Sequence, residues 1–271
     1  MRINYNEFLA LVYADLFDFP LSVSECKEWS VVEKGRSQVI LKIGGYYFLK
    51  GREKLVRLRK EREEISKKKL IKLTRLIELI RKIPTVEGIF VTGSVAMGNA
   101  TAEADLDLMI VTAENCLWLT RILVVEILKV IGVYRGNWGE QNDRVCTNIY
   151  LDIEHLEIKE KNLYTAHEVL QAKCVFDRGG VYYRWRQNNK WTKEYLPNAY
   201  KVAGKGTEKT SLRIWGLLAP LELLAYFLQF AYMRKKITNE RIGWGHAFFH
   251  PKDLSSEIIM RYQQRIRKYL A

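Results

Sequence analysis

Two aspartates one residue apart, Asp105 and Asp107, sit in the apolar stretch from Ala104 to Val111. Side chains alternate along a strand, so both carboxylates leave by one face, with Cα atoms roughly 7 Å apart. Leu106, Leu108 and Ile110 take the opposite face. Two like charges so close repel unless a cation lies between them, and hard carboxylate oxygens suit Mg²⁺ or Mn²⁺. Upstream, residues 88–92 read as a neighbouring strand that ends in a Gly93-Ser94 turn. Glycine lets backbone N–H groups approach a phosphate, and serine adds a hydroxyl donor. A phosphate-holding turn beside a metal-holding carboxylate pair is the equipment of phosphoryl or nucleotidyl transfer. A surface strand whose aspartates only face water is the plain alternative. The flanking Phe90-Val91 and Leu108 to Val111 argue against it, because they bury both strands in a sheet where idle carboxylates are costly.

The order Gly93-Ser94, ten intervening residues, then Asp105-Leu106-Asp107 resembles the nucleotidyltransferase superfamily typified by DNA polymerase beta. The matching residues cover under a tenth of the chain, yet turn, spacing, paired acids and strand context all agree. The resemblance implies an α+β fold with a nucleotidyltransferase-type mixed sheet and flanking helices. It also implies Mg²⁺- or Mn²⁺-dependent transfer of a nucleoside monophosphate from an NTP to an acceptor hydroxyl or phosphate. Asp105 and Asp107 would bind the metal, and Gly93 and Ser94 the β- and γ-phosphates. The acceptor, whether RNA, protein or small molecule, is not encoded in the motif.

The superfamily usually carries a third carboxylate on the adjacent strand. Residues 144–153 alternate as a half-buried strand should, and the best positional match is Asn148. Asparagine is a neutral ligand and cannot act as a general base, so Asn148 joins Gly93 and Ser94 as a nucleotide-binding candidate. Asp152 faces the same way but lies four residues on, about 13 Å along the strand. Two outcomes stay open. Asp152 serves as the third catalytic acid through a bent strand end, or that acid is missing. The second outcome leaves a silenced nucleotide- or nucleic-acid-binding regulator on the same fold.

Four segments follow from the surrounding sequence. Residues 1–50 predict a winged-helix-like module: an amphipathic helix (Phe8, Leu9, Val12, Tyr13, Phe17), a capping box from Ser22 to Glu25, and a hairpin turning at Gly44-Gly45. Residues 51–83 predict a long basic connecting helix, open to a break near Ser66, with an apolar stripe of Leu73, Leu76, Ile77 and Ile80. Residues 84–160 form the nucleotidyltransferase core, and residues 161–271 a helical region. In that last region residues 164–175 and 181–196 are the first helix candidates.

The chain of 271 residues has a formal charge of +13, and residues 51–82 alone hold 13 Lys/Arg against 5 Asp/Glu. A basic face favours polyanions, so helix 52–82 is a candidate nucleic-acid contact, with a plainly solvated face as the alternative. Cys26, Cys116, Cys146 and Cys174 are scattered without metal spacing, compatible with free thiols in a reducing, cytoplasmic setting. Residues 214–233 are apolar enough to raise a membrane span, but Pro220, Glu222 and Gln229 interrupt them. A buried helix is expected there.

Overall fold

The computed structural model describes residues 2–3, 5–31, 38–39, 41–135, 143–201, 218–235, 240–249 and 254–270. At the amino end lie β1 (Arg2–Ile3), α1 (Tyr5–Asp15), β2 (Leu21–Ser22), α2 (Val23–Glu28), β3 (Gln38–Val39), β4 (Leu41–Ile43) and β5 (Tyr46–Phe48). Ser22 Oγ accepts from the Glu25 N–H at 3.3 Å while the Ser22 N–H donates to Glu25 Oε2 at 2.8 Å, which is the expected capping box. Gly44 and Gly45 have φ of +57° and +88°, the left-handed pair a two-residue hairpin turn requires. β4 and β5 pair across it, and β2 adds to β5 as a third strand. Residues 32–37, between α2 and β3, lie outside the described residues.

Next comes α3 (Leu55–Ile80), which runs without a break. Ser66 does not interrupt it. Its hydroxyl donates to the Arg62 carbonyl at 2.7 Å and accepts from the Ala100 N–H at 3.0 Å, so it fastens the helix to a loop. Two of the basic residues are structural rather than solvated. Arg59 is buried over the Phe19 ring at 3.6 Å and paired with Glu25 and Glu63, and Lys69 is buried as well. The expected stripe of Leu73, Leu76, Ile77 and Ile80 is buried.

The remaining elements are β6 (Val86–Val91), α4 (Gly93–Met97), β7 (Leu106–Thr112), α5 (Leu117–Val130), β8 (Val145–Asp152), α6 (Leu163–Gln171), β9 (Lys173–Asp177), α7 (Val181–Asn188), α8 (Ala219–Met233), β10 (Arg241–Ile242), β11 (His246–Phe248) and α9 (Leu254–Leu270). Among the described residues the main sheet has the order β10-β11-β8-β7-β6-β9, with β7 and β8 parallel and the other pairs antiparallel. The fold is a mixed α+β arrangement of this mixed sheet and flanking helices.

Alternation along the strands divides the interior into two cores. Ile89, Val91, Leu106, Leu108 and Ile110 pack with α3 and with Trp118 of α5. Phe90, Met109 and Val111 pack on the opposite side with Phe8 to Ala14 of α1 and with Ala166 and Val169 of α6. The amino-terminal module therefore shares its core with the sheet. Asp107 has the same parity as Met109 and Val111, so it belongs to the α1 and α6 side.

The carboxy-terminal region departs from the expected helices in part. The helix expected over 164–175 stops at Gln171, and Lys173–Asp177 pairs with β6 as an edge strand. The helix expected over 181–196 ends at Asn188 and continues as a 3₁₀ turn at Lys190–Glu194. In α8, Glu222 is fully buried and accepts from the N–H groups of Trp118 at 2.7 Å and Leu119 at 2.8 Å. The acid that interrupts the apolar run thus caps the first turn of α5. No helix among the described residues is long and apolar enough to cross a membrane.

Candidate active site

Gly93 and Asp107 meet where β6 ends and β7 begins. The Thr92 N–H donates to the Asp107 carbonyl at 3.0 Å, which aligns the turn with the acidic strand. Gly93 has φ +62°, and a Cβ built there would lie 2.6 Å from Asp107 Oδ2. Only glycine satisfies both the left-handed backbone and the approach to the carboxylate. Gly93-Ser94 begins the one-turn helix α4 rather than an open turn.

Asp105 lies two residues before Asp107, just ahead of β7, in a loop held from α3. Lys69 Nζ donates to the carbonyls of Ala102 at 2.9 Å and Ala104 at 2.8 Å, and pairs with Asp143 at 2.5 Å. A buried cation of the basic helix thus fixes the segment that carries the first acid. Asp105 Oδ2 pairs with Arg135 Nη1 at 2.5 Å.

Burial pushes the Asp107 carboxyl up to about 6, and the neighbouring charge of Asp105 adds to the rise. Burial raises Asp105 too, against the opposing pull of Arg135 and Lys69. The site is short of positive charge. Two buried oxygens in it, Asp105 Oδ1 and Asn148 Oδ1, have no hydrogen-bond partner. Two carboxylates and an amide carbonyl with unfilled acceptor positions are hard oxygen donors, so these residues fit a divalent cation such as Mg²⁺. Among the described residues no group of three or more His, Cys, Asp and Glu forms a metal cluster. The candidate set is therefore Asp105, Asp107 and Asn148.

The β7–β8 register separates the two candidates for the third position. Asp107 lies opposite Cys146, and a register shift follows between Leu108 and Met109, beside Asn148. Asn148 Nδ2 donates to Asp107 Oδ1 at 3.0 Å. Asp152 lies opposite Thr112, five residues beyond Asp107 and about 16 Å along the sheet. It is buried, accepts from the Glu154 N–H at 2.9 Å, and contacts His155 Nδ1 at 2.6 Å. The register shift leaves Asp152 opposite Thr112, which has the parity of Leu108 and Ile110, so Asp152 lies on the other face of the sheet from Asp107 as well as far along it.

Gly93, Ser94, Asp107, Arg135 and Asn148 open onto a cavity of about 390 Å³. Its opposite wall is made by Tyr13 of α1, Phe17 just beyond that helix and Trp29 at the end of α2, and by His167 and Glu168 of α6. Tyr13 and His167 stack with ring centroids 4.0 Å apart. The His167 ring is buried, which pushes it down to about 3 and keeps it neutral. Spacing gives no sign of this second wall, since His167-Glu168 lacks the second histidine of a metal motif and Arg135 lies outside any pattern. Topology alone brings them to the aspartates.

Residues 73–133 match the family model of the nucleotidyltransferase domain, in agreement with the polymerase beta-like superfamily that the Gly-Ser and Asp-x-Asp residues resemble. The matched stretch contains Gly93, Ser94, Asp105 and Asp107 and ends before Asn148 and Glu168. A solved structure described as a toxin–antitoxin with AMP-PNP is similar to this chain at 15% identity, covering 62% of this chain and 93% of that one, with a TM-score of 0.23. No curated protein matches the chain.

Proposed function

We propose that this chain is a metal-dependent nucleotidyltransferase that moves a nucleoside monophosphate from an NTP to an acceptor. The observation that carries the reading is the meeting of Gly93 with a carboxylate pair whose site holds two buried, unpartnered oxygens. Idle carboxylates with those shifts would be a continuing cost to the fold, whereas a metal and a triphosphate would use each of them.

Asp105, Asp107 and Asn148 would hold the metal, which when bound supplies charge neutralisation of the phosphates and of the pyrophosphate that leaves. Ser94 offers its hydroxyl to a phosphate oxygen, and Gly93 lets backbone approach the phosphates without a side chain in the way. Arg135, on the same cavity wall, answers further phosphate charge. The aromatic wall of Tyr13, Phe17 and Trp29 gives the base an apolar face and keeps water from the reacting phosphorus. On this reading the amino-terminal module, whose sequence predicts a winged-helix-like unit, completes the nucleotide cavity.

One observation favours a second reading. Asn148, not an acid, sits beside Asp107, and a neutral group there suits a regulator that binds a nucleotide without turning it over. Label transfer from each α-³²P NTP with Mg²⁺ or Mn²⁺ separates the two readings. Wild-type protein transfers label and Asp107→Ala, still folded, does not. Metal-dependent nucleotide binding without transfer would favour the regulator.

A further inference from the structure

The strand beside Asp107 offers no base, yet a carboxylate reaches the same cavity from another element. Glu168 of α6 lines the cavity that contains Gly93, Ser94 and Asp107. It also lines a second cavity of about 360 Å³. Thr92 and Ile149, the sequence neighbours of Gly93 and Asn148, line both cavities as well, so the two meet beside the metal-binding residues. Glu168 is an exposed residue of α6, flanked by the buried His167 and Val169, and it lines both hollows.

The second cavity has its own chemistry. Trp185, Phe248 and Ile149 give it apolar walls, and Glu160 and Glu168 give it carboxylates. Arg241 is engaged there, 3.6 Å from Glu160 and over the Phe248 ring at 4.8 Å. That balance disfavours a polyanion and suits a small neutral or cationic compound. Its volume is at the scale of a small-molecule site and far below that of a folded RNA.

We propose that Glu168 is the base for the transfer reaction and that the second cavity holds the acceptor, a small hydroxyl-bearing molecule that is neutral or cationic. This rests on the nucleotidyltransferase reading above. In the step, the Glu168 carboxylate takes the acceptor's hydroxyl proton. The acceptor oxygen forms a bond to the α-phosphorus, the bond from that phosphorus to the α,β-bridging oxygen breaks, and pyrophosphate leaves. Glu168 is the carboxylate common to both cavities, placed to meet a hydroxyl in one and the nucleotide in the other.

The test uses the full chain in two arms. The first measures Mg²⁺-dependent binding of a non-hydrolysable ATP analogue. The second measures transfer of label from α-³²P NTPs to three pools, namely a small-molecule ultrafiltrate of a cell extract, total RNA, and the chain itself. Glu168→Gln keeps the side-chain shape and removes the base. It is expected to bind the analogue like wild type and to lose transfer by about 10²–10⁴-fold. Ala172→Leu, which fills the second cavity alone, is expected to raise the KM for the labelled acceptor and leave that for NTP unchanged. Label is expected in the small-molecule pool.

A Glu168→Gln protein that transfers at the wild-type rate overturns the assignment of the base, with the nucleotidyltransferase reading intact. Label confined to RNA or to the chain overturns the acceptor assignment. Wild type that binds the analogue and labels no pool overturns the proposal as well. Failure of the first arm would fell the underlying reading itself, and is seen before Glu168 is tested.

Discussion

Asn148 donates its side-chain amide to Asp107 Oδ1 at 3.0 Å, so the strand position beside the acidic pair holds a neutral group bonded to one of the acids. In a site already short of positive charge, that choice limits repulsion while the metal is absent. Asn148→Asp would place a third carboxylate against Asp107 and replace a donor with a like charge. The metal-free variant is expected to lose about 1–3 kcal/mol of stability at pH 8, the range for an unpaired buried polar or charged group. Added Mg²⁺ should stabilise it more than it stabilises wild type. Thermal unfolding in chelator and in Mg²⁺ checks both, and an Mg²⁺ response equal to that of wild type would mean position 148 does not face the pair.

The raised carboxyl of Asp107 has a consequence for pH. Its pKa is about 6 in the fold, above the usual value for aspartate, so the fold disfavours its ionised form. The resulting penalty is absent below about pH 4, where the acid is protonated folded and unfolded, grows between, and is complete above pH 6. Asp107→Asn is therefore expected to be more stable than wild type by about 1–3 kcal/mol at pH 8 and no more stable at pH 4, in the presence of chelator. Urea unfolding at the two pH values measures the difference. Equal stability at pH 8 would contradict the electrostatic picture of the site.

Gly93→Ala combines two faults. It sets a side chain at φ +62° and drives a methyl group to 2.6 Å from Asp107 Oδ2. The expected result is a loss of roughly 1–3 kcal/mol of stability and of Mg²⁺-dependent nucleotide binding, with the far-ultraviolet circular dichroism unchanged. Nucleotide affinity within a factor of two of wild type, read by calorimetry, would show that the close approach is not needed.

Far from the site, Glu222 provides a test of the fold. It is fully buried and caps two N–H groups at the start of α5. Glu222→Ala leaves those donors without their charged acceptor and opens a cavity, at an expected cost of about 2–4 kcal/mol. Glu222→Gln keeps one acceptor oxygen and should cost about half as much. Chemical denaturation of both variants measures the order, and a neutral alanine variant would show that the cap contributes nothing.

The sequence placed the candidate residues more fully than the surroundings that hold them. Gly93, Ser94, Asp105 and Asp107 were legible because turn and strand chemistry are local, and the period of two correctly placed Leu106, Leu108 and Ile110 on the face away from the acids. The capping box at Ser22 and the stripe on α3 were legible for the same reason. Asp152 was read on the face of Asp107 because unbroken alternation puts it there, and the register shift beside Asn148, which reverses the parity of the rest of β8, leaves no trace in the sequence. β9, β10 and β11 carry two to five residues each, too few for a period to stand out from a helix end. Lys69 reads as one charge among many in a basic helix, and its three bonds to the loop before Asp105 and to Asp143 arise from tertiary contact alone. Glu168 and Arg135 reach the cavity in the same way, through topology rather than spacing.

The most direct measurement follows which phosphorus moves. Wild-type protein is incubated with Mg²⁺ and the three acceptor pools, once with α-³²P NTP and once with γ-³²P NTP, beside the Asp105→Ala/Asp107→Ala variant. The account expects α-label to become covalently attached to an acceptor and γ-label to appear in pyrophosphate, with neither change in the variant. Gamma-label on the acceptor or in orthophosphate, with the α-label left in the nucleoside diphosphate, would contradict nucleotidyl transfer and make the site one for phosphoryl transfer.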